Sequence, residues 1–156
     1  MKKYRFYSGL IAFFLLACLC ALPAAALEDP APQCRAAIVV DGDYGDVLYA
    51  YNAYEKMYPA SITKIMTSLL VLEAVDSGQL TLDQPITAST TAAVVPEGSS
   101  TANPRIEAGE VLTVEQLLYC DLITSANEAC NVVAEYVCGS ISAFVQRMNE
   151  RVQALG

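Results

Sequence analysis

The 156-residue sequence contains no histidine. That absence excludes Ser-His-Asp and Cys-His arrangements, and with them every histidine-bound metal site. A nucleophilic serine in this chain needs another base. Lysine is scarce as well: beyond residue 26 only Lys56 and Lys64 remain. Positive charge is in deficit overall, with 9 basic against 17 acidic residues and a net charge of −8. Internal repeats and low-complexity tracts are also lacking.

What is present begins with a leader. Lys2, Lys3 and Arg5 form a short basic region, an apolar run follows from Leu10 to Leu22, and "PAAALE" brings small residues before Leu27. This is the layout of a secretory signal peptide over residues 1–26, cut after Ala26. The apolar run is shorter than the roughly 20 residues of a membrane span, which is the competing reading. A lipoprotein signal ending at Cys18 ("LLAC") is a third. Removing residues 1–26 takes away three basic groups and no acidic one, leaving 6 basic and 17 acidic residues and a net charge of −11. That charge argues against a nucleic-acid partner. Export places Cys34, Cys120, Cys130 and Cys138 in a compartment that permits disulfides. Cys130 and Cys138 fall on one expected helix about 12 Å apart and cannot pair. Cys120 with either of them, or four small buried thiols, both stay open.

Along the rest of the chain, Ala36–Asn52 reads as two β-rich runs around Asp43-Tyr44-Gly45, a hairpin with Gly45 in the turn. "PASITKIMTSLL", Pro59–Leu70, starts a helix whose apolar positions, Ile62, Ile65, Met66, Leu69 and Leu70, share one face. It is expected to end near Ser77-Gly78. Residues 79–105 read mostly as loop. Thr113 and Gln116 have capping-box spacing. A helix over "TVEQLLYCDLIT", a break at Ser125–Ala126, a second helix Asn127–Val137, a break at Gly139–Ser140 and a third helix Ile141–Leu155 complete the reading.

Ser61 and Lys64 stand three apart, about 4.5 Å of helical rise, so the amine can reach the hydroxyl. A free serine is a poor nucleophile and needs a base to take its proton. Burial beside Ile62, Ile65 and Met66 is expected to disfavour the charged lysine and so prepare it for that task. The competing reading makes Ser61 an ordinary N-cap and Lys64 a solvated side chain. In "TSANEA", Ser125 and Asn127 occupy a break between helices where side chains can project into a cleft. A hydroxyl there can relay a proton, and an amide can both donate to and accept from a peptide-like substrate. Either residue could instead simply cap the next helix. Ser-x-x-Lys followed by such a Ser-x-Asn is the combination found in penicillin-binding proteins and class A β-lactamases.

Three stretches, "YPASITKIMTSLLVLE", "GSSTANPRIEAGEVLTVEQLLYCDLITSANEAC" and "GSISAFVQRMNERVQALG", resemble in order the serine-type D-alanyl-D-alanine carboxypeptidases, the low-molecular-mass penicillin-binding proteins. The resemblance runs from about Ala36 to Gly156. It implies an α+β, β-lactamase/transpeptidase-like fold, of which residues 27–156 form the N-terminal part of the catalytic domain. It implies Ser61 as the acyl-enzyme nucleophile, Lys64 as general base, Ser125 as proton relay and Asn127 as substrate-binding residue, with no metal or cofactor. The implied partner is a peptidoglycan stem peptide ending in D-Ala-D-Ala, with β-lactams as inhibitors. The implied place is the cell envelope, outside the cytoplasmic membrane, in cell-wall synthesis and cell shape. Contact with the membrane surface would come through a further C-terminal region. The family's third motif, Lys-Thr-Gly on a strand, does not occur in these 156 residues. The chain is therefore expected to be incomplete and its own activity doubtful. Glu128 stands where aspartate is common, and Cys120 and Cys130 where the family has small residues. A class A β-lactamase-like hydrolase and a non-catalytic peptidoglycan- or β-lactam-binding fragment are the alternatives.

Overall fold

The computed structural model describes Pro30 and residues 33–156. The expected leader and Cys18 lie outside the described residues. The chain divides into two units, one up to Lys56 and one spanning Met57–Gly156.

In the first unit, β1 (Ala37–Val40) pairs antiparallel with β2 (Val47–Tyr51). Ile38 faces Ala50 and Val39 faces Tyr49, and the register shifts between Val39 and Val40. The turn is built by Asp41. Its carboxylate accepts the N–H groups of Asp43 and Tyr44, and its carbonyl accepts that of Gly45. Gly45 has φ +77°, a left-handed conformation open to glycine without a side-chain clash. The hairpin read from the sequence is present.

The second unit is a helical body with one small sheet. A 3-10 turn, Ala60–Ile62, leads into α1 (Thr63–Asp76). The helix closes at Ser77, with Gly78 at φ +76°, as expected. Residues 79–105 are less of a loop than the sequence suggests. They hold β3 (Pro85–Thr87) and the short α2 (Thr90–Ala93). β3 pairs antiparallel with β4 (Val111–Thr113), Ile86 opposite Leu112. Three-residue strands are too short to show an alternating pattern, so only the pairing reveals them. α3 (Val114–Thr124) starts with the capping box. Thr113 Oγ1 accepts the Gln116 N–H, and the Gln116 side chain accepts the Thr113 N–H. α4 (Asn127–Cys138) and α5 (Ile141–Leu155) follow, the latter capped by the Ser140 hydroxyl.

α4 is the hub, packing against α1, α2, α3, α5 and β3. Leu70, Val71 and Ala74 of α1 meet Leu117 of α3, Val132 and Val133 of α4 and Phe144 of α5 in one buried cluster. Burial of a large side chain such as Leu70, Leu117 or Phe144 stabilises by about 1.5–3 kcal/mol. Arg151 of α5 bonds Glu73 of α1 at 2.8 Å, a part-exposed pair worth at most about 1 kcal/mol.

The buried face of α1 differs from the expected one. Of Ile62, Ile65, Met66, Leu69 and Leu70, only Leu70 is fully buried, and Ile62 and Ile65 are each 66% exposed. The helix instead turns Thr67, Leu70, Val71 and Ala74 inward, and Ser68 with them. Polar side chains can occupy that face because a partner satisfies them: Ser68 Oγ donates to Asp121 Oδ2 at 2.8 Å. The disulfide option also fails. All four described cysteines are free thiols, Cys34 exposed and the other three half-buried rather than fully so. Among the described residues, no helix is long and apolar enough to cross a membrane.

Candidate active site

Ser61 lies in the 3-10 turn, directly after Ala60, whose φ is +49°. It caps nothing. The residue ahead of α1 is Ile62, and neither the turn nor the helix has a side-chain cap bond. Lys64 sits in the first turn of α1, half-buried. Ser125 ends α3 in the left-handed conformation, φ 57° and ψ 37°. Its N–H and that of Ala126 both reach the Cys120 carbonyl, which turns the chain sharply into α4. Ala126, not Ser125 or Asn127, is the N-cap of α4, and it makes no side-chain bond. The capping explanations for Ser61, Ser125 and Asn127 therefore fail, and all three side chains are left for other work.

Those side chains converge. Ser125 Oγ donates to Ser61 Oγ at 3.0 Å. Lys64 Nζ donates to Asn127 Oδ1 at 2.6 Å. The four residues come from segments more than 60 positions apart, yet form two side-chain pairs where α1 begins and where α3 gives way to α4. The apolar surroundings expected for Lys64 are not those found, since Ile62 and Ile65 face away into solvent. Its neighbours include the Asn127 amide and, within electrostatic reach, the Cys130 thiol. A cleft of about 480 Å³ opens on Ser61, Lys64 and Asn127, with Val95, Val145 and Met148 supplying apolar wall.

The buried roles of two carboxylates beside the site were not read from the sequence. Glu128, the residue after Asn127, is wholly buried. Its Oε1 accepts the Ala102 N–H at 2.8 Å and approaches the Ile106 N–H at 3.5 Å. The Asn127 N–H in turn donates to the Ser100 carbonyl at 2.9 Å. The first turn of α4 thus fastens the segment 100–106. The other carboxylate is Asp121, 2% exposed, bonded to Ser68 and to Cys130. Burial first, then the hydrogen bond to Asp121, pushes the Cys130 thiol well above its ordinary value. The only hint in the sequence was an acidic residue inside the apolar run "YCDLI".

Residues 24–156 match the sequence profile of the D-alanyl-D-alanine carboxypeptidases. The chain belongs to the D-alanyl-D-alanine carboxypeptidase family. It is 38% identical over 126 residues to D-alanyl-D-alanine carboxypeptidase DacF of Bacillus subtilis, covering 81% of this chain and 31% of that protein. It is 36% identical over 138 residues to DacC of Escherichia coli, covering 83% and 33%. Among solved structures, penicillin-binding protein 5 of Haemophilus influenzae superposes with a TM-score of 0.78 at 28% identity, over 84% of this chain and 38% of that one. Penicillin-binding protein D2 of Listeria monocytogenes in its ampicillin-bound form gives 0.68 at 29%, over 82% and 49%. The chain thus has the α+β transpeptidase-like fold of the penicillin-binding proteins. It spans about a third of the length of the curated relatives it matches.

Proposed function

We propose that the whole protein is a serine-type D-Ala-D-Ala carboxypeptidase that trims peptidoglycan stem peptides in the bacterial envelope, after export and removal of residues 1–26. The observation that carries this reading is the pairing of Ser61 with Ser125 and of Lys64 with Asn127, beside a cleft that Ser61, Lys64 and Asn127 line.

Ser61 Oγ attacks the carbonyl between the two terminal D-alanines while its proton passes to Lys64. A backbone N–H, that of Ser61 itself, stabilises the oxyanion as one of its donors. The C–N bond then breaks, and the departing D-alanine amine takes a proton from Lys64 through the Ser125 hydroxyl. Water hydrolyses the acyl-enzyme and frees Ser61. Asn127 holds the backbone amide of the substrate, and its bond to Lys64 orients the base. A β-lactam enters the same route by acylating Ser61.

The test is labelled penicillin, followed by D-alanine release from a peptide ending in D-Ala-D-Ala. Label on Ser61 and release of D-alanine are expected. Labelling that survives Ser61→Ala would remove the assignment. Labelling without release would favour a binding protein.

A further inference from the structure

Asp121 is buried in the middle of the helical body, yet the reaction proposed above does not use it. Its place is specific. Lys64 and Ser68 are four apart on α1, on one face of the helix. Asn127 and Cys130 are three apart on α4, again on one face. Asp121 lies four residues before Ser125 at the end of α3. The Ser68 hydroxyl donates to Asp121 Oδ2 at 2.8 Å, and the Cys130 thiol donates to Asp121 Oδ1 at 2.9 Å. One carboxyl group therefore ties α1, α3 and α4 together, one turn beneath Lys64, Ser125 and Asn127 respectively.

An apolar side chain at 121 would suit the pattern of α3 and would avoid the cost of burying a polar group. What the carboxyl group adds is direction. Each oxygen accepts from a different helix, so the relative slide of α1 and α4 is set by two short bonds instead of by interchangeable apolar contacts. Ser61–Ser125 and Lys64–Asn127 span the same helices and depend on that slide.

We infer that Asp121 is a positioning residue for acylation, holding the three helix segments in register through Ser68 and Cys130. The inference rests on the reading of Ser61 as the nucleophile. Misplacement by about 1 Å at a reacting centre costs on the order of 100-fold in rate.

The full-length protein, with its Ser61→Ala, Asp121→Leu and Asp121→Asn variants, is treated with labelled penicillin over a range of concentrations. Rates are referred to the folded fraction. Asp121→Leu keeps the branched shape, with bulkier methyl groups in place of the oxygens, and both bonds are lost. The acylation rate constant at saturating penicillin is expected to fall about 10- to 100-fold, with little change in the binding constant. Asparagine can accept from Cys130 and donate to the Ser68 oxygen, so Asp121→Asn is expected to keep most of the rate. Folded Asp121→Leu acylated at the wild-type rate overturns the inference. A loss confined to thermal stability does so too. Where Asp121→Leu does not fold, Ser68→Ala and Cys130→Ala each cut one of the two bonds to Asp121, the latter also the Cys130 Sγ contact with the Ala126 carbonyl at 3.2 Å. Slower acylation in both supports the inference, and wild-type rates in both overturn it. Label absent from the wild-type protein, or present in Ser61→Ala, strikes the Ser61 reading itself and takes the inference with it.

Discussion

Lys64 Nζ lies 2.6 Å from Asn127 Oδ1, so a lysine of the cleft is held by an amide 63 residues further along the chain. The proposed base and the proposed substrate clamp are thereby one unit. Lys64→Ala is expected to slow acylation by about 100- to 10,000-fold, the range for loss of a general base. Asn127→Ala leaves the amine in place but unaimed, and a loss of about 100-fold is expected. Both are read from labelled-penicillin time courses.

Ser125 combines the hydroxyl proposed as proton relay with a left-handed backbone that L side chains rarely adopt. Ser125→Ala keeps the strain and removes the hydroxyl. Ser125→Gly removes both. D-alanine release should be comparably low in the two variants. Thermal unfolding should place the glycine variant above the alanine variant by roughly 1 kcal/mol. Normal turnover in either would exclude the relay.

Glu128→Ala should destabilise the protein by about 1–3 kcal/mol, because it strands the buried Ala102 N–H. Glu128→Gln retains an acceptor for that N–H. The glutamine variant should therefore be clearly more stable than the alanine variant in urea unfolding.

The free thiols should separate by reactivity. Thiolate is the reacting form. Burial and Asp121 raise Cys130, and burial with the Glu128 and Glu110 charges raises Cys120. At pH 8 both should react with a soluble disulfide reagent at least about tenfold more slowly than exposed Cys34. Mass spectrometry of the labelled sites decides it.

The hairpin turn at Gly45, the Thr113–Gln116 capping box and the helix break at Ser125 were legible because each is fixed by residues close in sequence. The buried face of α1 was not. Its start is apolar at Ile62 and Ile65, and a periodic pattern cannot say that these face outward while Thr67 and Ser68 face in. That choice depends on Asp121, an acceptor more than 50 residues away. β3 and β4 were missed for a similar reason, since each three-residue strand is defined by its partner. At the candidate site, Ser61 and Lys64 were marked by their spacing, Ser125 and Asn127 by their place in a helix break, and all four by the family resemblance. Glu128 and Asp121 were not, because a carboxylate in a helix looks solvated until its buried donors are known.

The fastening of residues 100–106 to the first turn of α4 couples recognition to local opening. The Ser100 carbonyl holds the Asn127 N–H, and Ala102 hangs from Glu128, so the segment cannot lift away without loosening the turn that carries Asn127. A ligand that engages Asn127 only in the fastened state must suppress that opening by the ratio of its concentration to its dissociation constant. The exchange rate of the Ala102 amide hydrogen thus becomes an internal gauge of occupancy, readable at a position that no ligand need touch.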